Sequence, residues 1–88
     1  NIHTIENALM LVQSMRGVYF NRTDTSERKV GVIAQEIEKV LPEVVLNTES
    51  GMKSVAYGNI VGVLLEAMKE MSIKISELEK SINDLKGN

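Results

Sequence analysis

The sequence predicts an α+β fold in which a small head of short helices and β-hairpins precedes a long C-terminal coiled-coil helix. Two observations lead to this prediction. The first two thirds of the chain alternate short apolar runs with turn-forming residues, as in small mixed domains. The last third carries apolar residues at alternating spacings of three and four, which places them along one narrow seam of a helix.

The composition limits what this chain can be. Its 88 residues suffice for one domain, with a modest core that an oligomer interface would help to stabilise. We predict a head over residues 1–57 and a coiled-coil helix over residues 58–88. The net charge of −2 gives no electrostatic case for nucleic acid, and no apolar run reaches the ~20 residues that span a bilayer. Without cysteine, disulfides and thiolate metal sites are excluded.

The N-terminal part of the head is expected to contain a helix followed by a β-hairpin. Thr4 can cap a helix whose apolar residues run from Ile5 to Met15, and Gly17 can end it. Residues 18–22 and 29–33 are rich in β-branched and aromatic side chains, and a polar loop over residues 23–29 connects them.

The second part of the head follows the same logic. Residues 34–41 have helical spacing, and Pro42 ends that helix because it cannot donate the next hydrogen bond. Residues 44–46 and 54–57 predict two strands, joined by the turn formers of residues 47–51. The long helix should begin at residues 57–59 and continue to about Lys86, close to the chain's last residue, Asn88.

The long helix carries a heptad pattern. The a positions are Val61, Met68, Ile75 and Ile82, and the d positions are Leu64, Met71, Leu78 and Leu85. Lys74 at g can pair with Glu79 at e of a neighbouring parallel chain. Leu65 and Ala67 widen the apolar face near the base, which predicts that the base packs against the head. The heptads leave dimer and trimer open, and one alternative is a helix folded back on its own head.

The sequence offers no convincing active site. His3 has no second histidine or cysteine to form a metal site, and the carboxylates of Glu36, Glu38 and Glu43 are typical of a solvated helix face. No glycine-rich phosphate loop is present. We therefore predict no catalytic residue, cofactor or metal within this chain, and an enzyme with a diffusible substrate is the least favoured class.

Residues 31–45 carry a specific pattern, G-V-I-A-Q-E-I-E-K-V-L-P-E-V-V. It resembles the signature of the C-terminal intramolecular chaperone domain of phage tail spikes, tail fibres and neck appendages. The positions that match it most clearly are Gly31, Ala34, Gln35, Glu36 and Pro42. Residues 8–21, 53–57 and 64–70 are similar to further segments of the same family, in the same order.

This resemblance implies a homotrimer that holds an upstream fibre in register while it folds and then releases itself by self-cleavage. It implies assembly in the host cytoplasm, or residence in the virion tail if the domain is retained. The family cuts itself with a Ser-Lys dyad in the motif S-D-x-x-x-K-x-N-I, whose last two residues match Asn1 and Ile2. The dyad would then precede Asn1, so we expect a fragment or a processed product without a complete active site. Gln35 and Glu36 either line that site or fix the turn into their helix.

A plain coiled-coil module that mediates assembly without cleavage is the alternative. The sequence upstream of Asn1 would separate the two, because only the chaperone requires the Ser-Lys dyad.

Overall fold

The computed structural model describes residues 1–21 and 26–87, which form a small α+β head on one long helix. The elements in chain order are α1 (Ala8–Gln13), β1 (Val18–Asn21), β2 (Arg28–Gly31), α2 (Ala34–Val40), a 3₁₀ turn (Pro42–Val44), β3 (Val45–Asn47), β4 (Lys53–Val55) and α3 (Tyr57–Lys86). The predictions of α2, both hairpins and the long helix are confirmed to within one to three residues at each end. The predictions for Arg22, for residues 23–25 of the polar loop and for Asn88 lie outside the described residues.

Only the extent of the first helix is substantially wrong. It begins at Ala8, not after Thr4, and Asn7 precedes it in the left-handed conformation with φ 56°. No side chain at the N-cap position bonds the helix start. Residues 1–5 have no regular structure, although Ile5 packs against the core.

Two small antiparallel hairpins form the β part of the head. In the first, Tyr19 is opposite Val30, and in the second, Val45 is opposite Val55. Gly51 supplies the φ of 82° that the second turn requires, a conformation that residues with a Cβ atom disfavour. Lys53 then ties this hairpin to α2, because its Nζ lies 3.0 Å from Glu38 Oε2.

The core consists of two adjoining clusters. The buried residues of the first are Ile37, Val44, Val45 and Ile60, and those of the second are Ala8, Val63 and Ala67. Leu41 packs against both clusters. Pro42 opens the 3₁₀ turn that buries Val44, which explains why the helix must stop at this point. Both clusters draw residues from α3, so the head folds around the base of the long helix.

Gly31 allows an aromatic side chain to approach the backbone closely. A Cβ at this position would lie 2.7 Å from the Tyr57 hydroxyl and 3.3 Å from the Phe20 ring. The backbone N–H of Val32 donates to that hydroxyl at 3.3 Å. The first hairpin is thereby attached to the start of α3. Among the helices that the structure describes, none has the length and apolar character needed to cross a membrane.

We predict that Gly31→Ala lowers the free energy of unfolding by about 1 kcal/mol, because Tyr57 must move and the Val32 amide loses its acceptor. Urea denaturation at one fixed protein concentration measures this change. Gly58→Ala is the matched control, since a Cβ there meets nothing within 4 Å. If the hydroxyl contact is responsible, Gly31→Ala costs less in a Tyr57→Phe background. Equal costs in the two backgrounds would contradict this explanation.

Candidate oligomerisation surface

One side of α3 is covered by its own head. Ile60, Val63 and Ala67 are buried and recur at spacings of three and four, so they share one face of the helix. Helix α1 packs against this face, with Ala8 beside Val63 and Ala67. It is antiparallel to α3, because its start contacts Glu70 and its later residues lie near Ile60. The small side chains of Ala8 and Ala67 let the two helices approach closely. The prediction that the base of the long helix packs against the head is confirmed for Ala67, whereas Leu65 is exposed.

Glu70, one turn beyond Ala67, holds the start of α1. Its Oε2 accepts a hydrogen bond from the Ala8 N–H at 2.7 Å, and its Oε1 accepts one from the Leu9 N–H at 3.2 Å. These amides belong to the first turn of α1, where no intrahelical acceptor exists. The carboxylate also carries the charge that a helix N-terminus favours. A residue of the long helix thus replaces the local cap that the sequence predicted at Thr4.

The heptad seam lies on a different side of α3 and is exposed over its whole length. Its members range from 44% exposed at Leu64 to 86% at Leu85. The exposed set is Val61, Leu64, Met68, Met71, Ile75, Leu78, Ile82 and Leu85. The head does not fold back over these side chains. Exposed apolar surface of this extent is typical of an interaction site.

The charged residues that were predicted to pair across chains flank this seam. Lys74 and Glu79 are both exposed, on the g and e flanks of α3. Their placement is compatible with pairing between parallel helices. Pairing itself stays a prediction, because it requires a second chain.

The residues of the central motif lie in and around α2. Ala34 packs against the first core cluster, and Gln35 is exposed. Glu36 accepts two hydrogen bonds from Arg16, at 2.9 Å from Nε and 2.7 Å from Nη2. This bidentate hydrogen bonding lowers the pKa of Glu36 and raises the pKa of Arg16. The contact fastens the segment after α1 to the first turn of α2.

Sequence reasoning missed both Glu70 and the Arg16–Glu36 pair. The partners in each contact are distant in the sequence, and no local pattern marks them. Over residues 1–21 and 26–87, the side chains also form no group of three or more histidine, cysteine, aspartate or glutamate residues suited to a metal ion.

A small head that exposes the apolar seam of a long helix is an architecture suited to assembly. The family described as chaperone of endosialidase matches residues 1–46, more than half of the chain. The chain therefore belongs to this family, and the resemblance found in the central motif is confirmed.

Three curated relatives are long tail fibre proteins named Gp37. Those of Enterobacteria phages K3 and T2 are each 32% identical over 91 residues, which cover 93% of this chain and 7% of the relative. That of Enterobacteria phage M1 is 39% identical over 56 residues, covering 60% of this chain and 22% of the relative. The chain thus corresponds to a small part of each of these proteins.

We predict that Glu70→Ala lowers the free energy of unfolding by about 1–2 kcal/mol, because two amides of α1 lose their acceptor. Glu70→Gln retains one acceptor oxygen and should cost less. Amide hydrogen exchange of Ala8 and Leu9 by NMR reports the contact directly, and Glu77→Ala, at an exposed position of the same helix, is the control. Unchanged exchange at Ala8 would show that the contact does not hold α1 in place.

The pair of Arg16 and Glu36 predicts a pH-dependent contribution to stability. Since the pKa of Glu36 is lower in the folded chain, its contribution is present at neutral pH and is lost as the pH falls through that folded value. Thermal midpoints of wild type and Glu36→Gln should therefore differ at pH 7 and converge well below about pH 4. Glu49→Gln, on the exposed turn between β3 and β4, serves as control. A difference that persists at low pH would assign the effect to packing instead.

Proposed function

We propose that this chain is an intramolecular chaperone domain that trimerises through α3 and registers an upstream phage tail fibre or spike while it folds. The observation that carries the proposal is the division of α3 into two sides. One side packs on the chain's own head, while the heptad seam is exposed over nearly four heptads. Such a seam is buried when identical helices associate in parallel.

Trimerisation addresses a specific difficulty in fibre folding. Strands from separate chains must meet in register, and non-local pairing costs chain entropy before any contact forms. A trimeric clamp at one end makes the later pairing effectively intramolecular and raises the local concentration of the strands. The similarity to long tail fibre proteins supports a fibre as the segment to be registered.

We further propose that the domain is released by self-cleavage at a serine just upstream of Asn1. The support for this step is the resemblance to the family and the match of Asn1 and Ile2 to the end of its Ser-Lys motif. Cleavage after folding would leave the finished fibre kinetically trapped. The domain would act in the host cytoplasm during assembly, or remain in the virion tail if it is retained.

The alternative is a coiled-coil module that stays attached to its host protein. The same exposed seam supports it, since oligomerisation alone needs no cleavage. A parent sequence without S-D-x-x-x-K before Asn1 would favour this second function.

Sedimentation equilibrium over a concentration series tests the oligomer. We predict a mass near three times 9.8 kDa for the wild type and dissociation for Ile75→Asp or Leu78→Asp. An unpaired carboxylate buried in the seam costs several kcal/mol per site. Ile73→Asp is the matched control, because Ile73 is 59% exposed but lies outside the seam. A monomeric wild type, or Asp variants that keep the wild-type mass, would refute trimerisation through α3.

The chaperone role is tested in the full-length parent protein with the same three variants. Leu78→Asp should leave the fibre unassembled or aggregated, whereas Ile73→Asp should give wild-type fibres. Electron microscopy and resistance of the fibre to dissociation in detergent report the result. Normal fibres from a parent chain that no longer oligomerises through α3 would contradict the role.

A further inference from the structure

An apolar groove opens beside the seam, between α3 and the head. Its volume is about 310 Å³. Aliphatic side chains line it from α1, from the segment between β2 and α2, and from α3, among them Val12, Val32, Ile60 and Leu64. Leu64 is also a d position of the seam. The groove is therefore continuous with the surface that the proposed coiled coil would bury.

The heptad register determines which part of a second copy would face this groove. On α3 the groove is bordered by Tyr57 and Leu64 at d and by Ile60 at g, so it lies along the g flank of the seam. In a parallel coiled coil, a g residue faces the e residue five positions later in the neighbouring chain. The residue opposite Ile60 is therefore Leu65 of the second copy.

Leu65 has the chemistry that the groove requires. It is 57% exposed on the e flank, away from its own head. The other e positions of α3 are Gly58, Ser72, Glu79 and Lys86. A large apolar residue thus occurs at e only at the level where a neighbouring groove is available.

We propose that Leu65 of one copy inserts into the groove between α3 and the head of the adjacent copy. This inference rests on the proposed parallel association of α3 and names a second contact within it. Each copy would offer Leu65 on one flank and a groove on the other, so identical contacts close a ring. The heads then contribute to the interface and clasp the base of the coiled coil, which the seam alone would not require.

Engineered disulfides test this contact directly, because the natural chain has no cysteine. Gly17 lines the groove, and a Cβ there meets nothing within 4 Å, so Gly17→Cys is sterically accepted. Combined with Leu65→Cys and mild oxidation, it should yield covalent trimers on a denaturing gel without reductant. The control pairs Gly17→Cys with Ile73→Cys, since Ile73 matches Leu65 in exposure but lies on the outer side of α3.

The possible outcomes are distinguishable. Covalent trimers with the Leu65 pair and none with the Ile73 pair support the inference. A second outcome is a protein that sediments as an oligomer but runs as a monomer on the gel, either reduced or with a disulfide within one chain. That result overturns the groove contact alone. A protein that sediments as a monomer overturns the proposed clamp as well.

Leu65→Ser provides a second measurement without cross-linking. It should raise the dissociation constant of the oligomer at least tenfold, roughly the effect of removing one buried leucine contact. Ile73→Ser should leave the dissociation constant unchanged. An unchanged constant for Leu65→Ser would overturn the contact.

Discussion

The packing of α1 against one side of α3 is the contact on which the rest of the chain depends. It uses two alanines, Ala8 and Ala67, where close approach matters, and the carboxylate of Glu70 completes it. This contact occupies the side of α3 that carries Val63 and Ala67, so the head packs on α3 without burying the heptad seam. The separation of the two sides lets one helix stabilise its own head and still present an apolar surface to other chains.

Much of the fold could be predicted because its signals are local. The heptad spacing, the proline after α2 and the turn residues around Gly51 each act on their immediate neighbours. The first helix is the instructive failure. Thr4 is a good capping residue in isolation, but the helix begins where Glu70 reaches its amides, and that acceptor is more than sixty residues away in the sequence. Tertiary contacts of this kind produce no periodic pattern in the sequence from which they could be predicted.

The central motif shows how a short signature can record packing. Gly31 is explained by the Tyr57 hydroxyl, which lies only 2.7 Å from the position that a Cβ would take. Pro42 is explained by the tight turn that buries Val44. Both residues join the hairpins to the long helix, so the motif maintains the connection between head and α3. Gln35, by contrast, is exposed and has no such role within one chain.

The antiparallel course of α1 along α3 also has a mechanical consequence. Tension applied through the first residues of the chain would act at Ile5 and then at the capped end of α1, where Ala8 meets Glu70. Contacts that are loaded at one end break one after another and not all at once. Helix α1 is therefore the first element to detach under a pull from the N-terminal side, because its contacts pass the force directly to α3 and the two hairpins lie beyond it in the chain.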